Sequence, residues 1–174
     1  MSLEIRLLSD TDSLEELTAL LHRAYAELAA MGLRYTATYQ DVATTRRRVS
    51  GAECFVATIE SRIVATITLR PPGTIVSSAE WYQRAGVAVV GQLAVEPAYQ
   101  RRGIGTTLLA HAEHRARELG ATEVALDTAD QSHHLIDYYQ KRGYRIVGEA
   151  QWSQKNYRSV IMSRAVGAPA GREH

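Results

Sequence analysis

Cysteine is nearly absent. Cys54 stands alone, so no internal disulfide can form, and its apolar, strand-like surroundings mark a buried thiol rather than a nucleophile. No run of 18 apolar residues occurs anywhere, which leaves no candidate membrane-spanning helix. The first ten residues are charged and carry no apolar signal core, so a cytoplasmic location is expected. An excess of one charge sign is missing too, since a formal net charge of +1 over 174 residues argues against a dedicated nucleic-acid or anionic-membrane surface. Arginines still cluster at Arg46-Arg47-Arg48, read as a solvated helix face, and at Arg101-Arg102. Internal repeats and low-complexity segments are lacking. No histidine, cysteine and carboxylate set shows ligand spacing; His111 and His114 sit three apart beside cations, so no metal is expected.

What is present reads as one compact domain. A hydrophobic content of 45% in a chain of 174 residues supports a substantial core, with the domain spanning 1–166 and a frayed Gly-, Pro- and charge-bearing tail at 167–174. Residues 3–8 read as a strand, and the Ser- and Asp-rich 9–13 stretch supplies N-caps for a helix that runs from Leu14 until Gly32 stops it. His22 and Tyr25 lie on that helix, and a lone helical histidine is read as a packing or surface residue. Residues 33–39 are irregular, and a second helix covers about 40–49. Two β-rich runs, 54–59 and 63–69, form a hairpin, after which Pro71-Pro72-Gly73 opens a long aperiodic loop, 74–86. Trp81 and Tyr82 in that loop either close over a substrate or tuck beneath it.

The stretch Gln100-Arg101-Arg102-Gly103-Ile104-Gly105 joins an apolar strand, 87–95, to an amphipathic helix, 104–119. Glycines at such a turn let backbone approach a ligand closely, and the first helical N–H groups lack intrahelical partners. With the helix dipole, Arg101, Arg102 and the hydroxyls of Thr106 and Thr107, the turn suits a phosphate or pyrophosphate. A Walker A loop is excluded because no lysine lies nearby. A dinucleotide fingerprint needs a third glycine where Leu108 stands. What remains, Gln-x-x-Gly-x-Gly after Gln92-Leu93-Ala94-Val95-Glu96-Pro97, resembles the acetyl-coenzyme A loop of the GNAT superfamily of N-acetyltransferases.

A second motif strengthens the resemblance. Residues 132–144 read Ser-His-His-Leu-Ile-Asp-Tyr-Tyr-Gln-Lys-Arg-Gly-Tyr and are similar to the GNAT helix with an aromatic-Tyr-x-x-x-Gly-aromatic pattern, filled here by Tyr138, Tyr139, Gly143 and Tyr144. The sequence departs at Ser132, where many members carry a cofactor-contacting asparagine. The resemblance implies an α/β (α+β) fold in a single domain: a mixed, mostly antiparallel, twisted sheet of about seven strands, flanked by about four helices and splayed at its centre to hold acetyl-CoA. By the same resemblance, Leu93, Ala94 and Val95 bind the pantetheine arm from a bulged strand, and Gln100, Arg101, Arg102, Gly103, Ile104, Gly105 and Thr106 bind the diphosphate. Ser132 and Tyr139 complete the cofactor set. Tyr35 and Tyr39 become acceptor-contact candidates beside Trp81 and Tyr82.

The reaction so implied is transfer of acetyl from acetyl-CoA to a primary amine by direct attack. An alkylamine, with a pKa of about 10.4, must lose a proton before or during attack. The oxyanion donor is a backbone N–H near Leu93, and Tyr139 is the candidate acid for the departing thiolate. No base is evident, since Gly91 and Val89 precede Leu93 on the strand; Glu80, His133 and His134 have ordinary surface readings, and deprotonation through water is the default. The partner is a small-molecule or peptide amine, with a homodimer left open. The rival reading is a non-catalytic acyl-CoA-binding module. Short strands at 124–126, 144–150 and 157–166 complete the expected sheet, and residues 111, 113–115, 117 and 118 form the outward face of the long helix.

Overall fold

The computed structural model of the protein describes residues 2–167. Met1 and residues 168–174, which make up nearly all of the expected tail, lie outside the described residues. Strand β1 (Leu3–Leu7) borders β2 (Glu53–Ile59), which folds back as β3 (Arg62–Arg70). The turn between them is two residues long, Glu60-Ser61, with φ of 51° and 65°, as a twist-matched hairpin turn requires.

Between β1 and β2 the chain makes four helical pieces: α1 (Leu14–Ala24), α2 (Ala26–Ala30), α3 (Thr36–Tyr39) and α4 (Val42–Val49). Ser13 caps α1 by accepting from the Glu16 N–H at 3.1 Å, and Asp41 caps α4 through the Thr44 N–H at 2.8 Å. The single helix expected from Leu14 to Gly32 is interrupted at Tyr25, whose ψ of 6° departs from helical geometry. Its side chain is committed to the sheet, as described below. Together with the one-turn α3, this break raises the number of α-helices among the described residues from the expected four or so to six.

Strand β4 (Val87–Val95) leads through a 3-10 turn into α5 (Ile104–Glu118), followed by β5 (Glu123–Ala129), α6 (His133–Gln140), β6 (Arg145–Ala150) and β7 (Ser159–Ala165). The seven strands form one sheet in the order β1-β2-β3-β4-β5-β7-β6, antiparallel except for β4 beside β5. Helix α5 buries Ile104, Leu108, Leu109, Ala112 and Ala116 against Phe55, Ile67, Leu69, Val90 and Leu126 on one face. Helix α1 packs Leu17, Leu20 and Leu21 with Ala37 and Ala94 on the other. Each such buried leucine contributes about 1.5–3 kcal/mol. Cys54 lies buried in β2, and burial pushes its thiol up, as expected of an inert thiol.

The central pair β4–β5 is paired only from Val87–Glu123 to Val89–Ala125. Beyond that point β4 stays with β3 as far as Val95, β5 stays with β7 as far as Ala129, and the two strands part. A bulge bends β4 as it leaves: Thr68 faces Gly91 and Thr66 faces Ala94, so Gln92 and Leu93 together oppose Ile67. Gln92 takes a left-handed φ of 52° at the bulge.

Gly86 marks the closed end of this wedge. Its carbonyl accepts from the Thr122 N–H at 2.8 Å, its φ is 81°, and an added Cβ would lie 2.6 Å from Thr122 Oγ1. Gly86→Ala is expected to lower unfolding stability by about 1–3 kcal/mol through left-handed strain and this clash. Urea denaturation checks it: adding Thr122→Ala relieves the clash and restores only part of the loss.

Candidate active site

The glycine turn presents backbone rather than side chains. Arg101 has a φ of 65° and Gly103 of 79°, and α5 begins at Gly103 with no side-chain cap, leaving the N–H groups of Ile104, Gly105 and Thr106 without intrahelical acceptors. Arg101 and Arg102 are exposed beside it, and the Arg102 guanidinium lies 5.2 Å from the Tyr99 ring. Gln100 is spent on structure, its Nε2 donating to the Val95 carbonyl at 3.1 Å. The Thr106 hydroxyl is likewise engaged, 2.9 Å from Tyr138 Oη and within 3.2 Å of the Arg142 guanidinium, which stacks 3.6 Å above the Tyr138 ring. At Gly105 a Cβ would stand 3.3 Å from Val95 Cγ2, so the turn packs closely on the end of β4.

The open wedge has two walls. Along β4 run Leu93, Ala94 and Val95, whose edge toward β5 has no strand partner. The Tyr25 hydroxyl crosses from the α1–α2 break and donates to the Leu93 carbonyl at 2.9 Å; burial holds that phenol up at about 12. The opposite wall is organised by Tyr35. Its oxygen accepts from the Ala129 N–H at 3.0 Å and lies 2.8 Å from both Thr128 Oγ1 and Ser132 Oγ, the full capacity of a phenol. Ser132 is fully buried by this contact. Tyr35 also packs against Tyr25 and Tyr157, with ring centres 5.7 and 5.1 Å away.

Tyr139 projects from α6 into the same aromatic lining, edge-on to Tyr138 at 5.2 Å and to Tyr144 at 5.7 Å. Burial, reinforced by the fields of Tyr25, Tyr138, Tyr35 and Asp127, drives its phenol well above the ordinary range. It is therefore a neutral O–H at any physiological pH. Its hydroxyl has no hydrogen-bond partner among the described residues.

On the face of the sheet opposite α5 stand residues that the sequence patterns left unmarked. Asp127 interrupts the apolar run of β5 and accepts from Tyr82 Oη at 2.6 Å and Trp152 Nε1 at 3.0 Å. Tyr82 is thus buried beneath Asp127, the tucked arrangement of the two expected for this loop, and burial beside that carboxylate drives its phenol well up. Trp81 stacks under the Arg84 guanidinium at 3.8 Å and lines a separate groove of about 520 Å³ with Val147 and Trp152. Tyr39 lies at the rim, 42% exposed, with Lys155 5.4 Å and Arg34 4.7 Å from its ring. Arg48, expected on a solvated face, is largely buried and donates to Gln40 Oε1 at 2.9 Å. The spacing carried a clue: Arg48 lies three residues after the buried Thr45, on the same side of α4.

The sequence model of the acetyltransferase (GNAT) family matches residues 14–144, from the start of α1 through both motifs. The chain belongs to the GNAT acetyltransferase family. Over 155 residues it is 33% identical to the S-(2-succino)cysteine N-acetyltransferase of Bacillus subtilis (strain 168), which covers 86% of the chain and 88% of that enzyme. Its fold is similar to that of the ribosomal-protein-S18-alanine N-acetyltransferase of Escherichia coli, with a TM-score of 0.70 at 18% identity over 99% of both chains. A GNAT acetyltransferase of Elizabethkingia anophelis solved with acetyl-CoA bound superposes with a TM-score of 0.66 at 15% identity, covering 94% of this chain and 97% of that one.

As a GNAT member the protein is an acyltransferase whose cosubstrate is acetyl-CoA. The residues present fit that molecule: α5 begins without a side-chain cap, which suits a diphosphate, and the unpaired edge of β4 suits an extended amide-bearing arm. Among the described residues no helix is long and apolar enough to cross a membrane. Tyr35→Phe strands two hydroxyls and an N–H in the wedge wall. It is expected to cost about 1–3 kcal/mol of stability in chemical denaturation, whereas Tyr39→Phe at the rim costs below about 0.5 kcal/mol.

Proposed function

We propose that this GNAT acetyltransferase moves the acetyl group of acetyl-CoA to the α-amino group of a small amino acid of the S-substituted cysteine class, by direct attack in a ternary complex. The observation that carries the reading is the protonated, unpartnered hydroxyl of Tyr139 in the wedge between the cosubstrate turn and the face bearing Asp127. The acceptor class is supported by the 33% identical relative that acts on S-(2-succino)cysteine.

In this reading the N–H groups of Ile104, Gly105 and Thr106 receive the diphosphate, with Arg101 and Arg102 as mobile counter-charges. The open edge at Leu93, Ala94 and Val95 holds the pantetheine amides, and backbone freed at the bulge supplies a donor to the developing oxyanion. The amine nitrogen bonds to the thioester carbon, the carbon–sulfur bond breaks with its electron pair leaving on sulfur, and Tyr139 gives that sulfur a proton. A phenol is a weaker acid than a thiol, with ordinary values of about 10 and 8.5, so the proton passes only as the bond breaks. Burial raises the Tyr139 phenol further above the thiol, which makes this coupling to bond cleavage stricter. The ammonium loses one proton toward the acceptor side, where Asp127 stands, before it attacks, and the second proton, shed by the nitrogen once the carbon–nitrogen bond has formed, returns through water to the Tyr139 oxygen. Glu80, His133 and His134 are exposed to solvent, outside the wedge lining.

Steady-state release of free coenzyme A thiol tests the proposal. Tyr139→Phe is expected to lower kcat by roughly 10²–10⁴-fold, with the calorimetric Kd for acetyl-CoA changing only a few-fold. A parent protein that binds acetyl-CoA yet releases no thiol with any amine, S-(2-succino)cysteine included, would instead be an acyl-CoA-binding module.

A further inference from the structure

The acceptor side holds more positive charge than its own residues neutralise. Arg48 uses one of five guanidinium donors, on the neutral Gln40 Oε1, and no carboxylate lies within 4 Å of it among the described residues. Lys155 is half-buried, donates to Thr36 Oγ1, faces the Tyr39 ring and also lacks a carboxylate within 4 Å. Burial lowers both cations, and both lie within the electrostatic field of Asp127; Arg70, a further cation, acts on Arg48. Two half-buried cations that share one carboxylate are costly and persist where a ligand supplies a further anion. The one carboxylate whose charge acts on both cations is Asp127, which also accepts from Tyr82 and Trp152, so two cations share a single anion among the described residues. Those two bonds leave Asp127 with spare acceptor capacity, since a carboxylate has about four lone-pair sites.

We propose that the acceptor is an amino acid carrying at least one carboxylate beyond its own α-carboxylate, that Arg48 and Lys155 together hold that side-chain carboxylate, and that Asp127 receives the ammonium and turns it toward the thioester. The arrangement rests on the acetyl-transfer reading above and deepens it. Two cations and one anion within one another's electrostatic reach complement a molecule with one ammonium and an excess of carboxylates. A neutral amine, a polyamine or a cationic peptide terminus would leave Arg48 and Lys155 uncompensated. Arg48 also reaches the catalytic strand: Gln40, its partner, donates through Nε2 to Gln92 Oε1 at 3.1 Å, at the β4 bulge. Carboxylate capture is thereby tied to the backbone that faces the transferring acetyl group.

The test compares two nearly isosteric acceptors, S-carboxymethylcysteine and its neutral amide, S-carbamoylmethylcysteine, by kcat/KM for thiol release. The parent enzyme is expected to prefer the acid by tenfold or more. Arg48→Met and, separately, Lys155→Met are each expected to lower kcat/KM for the acid by tenfold or more and for the amide by much less, so that the ratio collapses toward one. Arg48→Lys is expected to recover part of the preference. Calorimetric titration with coenzyme A reports whether each variant is folded, and the half-exposed Lys155 keeps the test decisive if Arg48→Met does not fold. Equal kcat/KM for acid and amide in the parent, or an unchanged ratio in folded variants, overturns the inference while leaving acetyl transfer intact. No thiol release by the parent with either acceptor or with S-(2-succino)cysteine overturns the acetyl-transfer reading itself.

Discussion

The parting of β4 and β5 is the constraint on which the rest depends. Two adjacent parallel strands that pair over three residues and then separate leave interior backbone without its usual partners, and buried peptide groups must bond to something. The protein answers this one group at a time. Tyr25 takes the Leu93 carbonyl, and Tyr35 takes the Ala129 N–H. From Leu93 to Val95 the β4 edge still has no strand partner, although Tyr25 and Gln100 take the Leu93 and Val95 carbonyls, and this leaves an opening shaped for an extended chain rather than for a compact ligand. The bulge keeps the strands from closing again, because Gln92 in its left-handed conformation shifts the register after Gly91.

A wedge cut into a sheet must also be lined, and the lining here is tyrosine. Tyr25, Tyr35, Tyr139 and Tyr157 supply apolar ring surface that shuts out water while presenting hydroxyls at chosen points. Burial pushes the phenols of Tyr25, Tyr139 and Tyr157 upward, so each stays an O–H donor instead of an anion. Three of the four rings come from segments far apart in the chain: the break between α1 and α2, the entry to α3 and the stretch before β7. The interruption at Tyr25 is thus a working part of the site, since an unbroken helix would carry its ring past Leu93.

The parts of the site that are local in sequence were legible in it. The extent of β4, the turn at Gln100–Gly105, the start of α5 and the Tyr138-Tyr139 pair follow from periodicity and glycine placement over short spans, and the structure brings them together around one wedge. The long-range parts were not legible. Asp127 falls just beyond the strand expected at 124–126 and belongs to no motif; its importance lies in Tyr82 and Trp152, 45 residues before it and 25 after. Tyr82 in turn read as a loop residue because its carboxylate partner was out of view. Glu113 was placed on the outer face of α5, yet it is 8% exposed and bonds Tyr144 Oη at 2.7 Å and Arg164 at 2.9 Å. Helix α5 is covered on a second flank by the chain after Gly143 and by β7, and a helical period reports the width of an apolar stripe, not what later packs beside it.

In the proposed reaction, charge is divided across the wedge in a way that orders the two reactants. On the cosubstrate side Arg101 and Arg102 are exposed, flexible and backed by uncapped peptide N–H groups, a combination that tolerates a solvated diphosphate in several poses. On the proposed acceptor side Arg48 is held in place by Gln40 with the rest of its guanidinium donors unspent on other side chains, which favours one planar, two-pronged partner. The first arrangement retains a long molecule without fixing its far end; the second fixes a short one. Direct transfer needs the amine placed to within a fraction of an ångström, whereas the thioester reaches it along a strand edge that is itself rigid. Precision is therefore needed most where the small reactant sits, and the proposed anchors through Arg48, Gln40 and Gln92 put it there by tying the acceptor to the same bulge that shapes the path of the acetyl group.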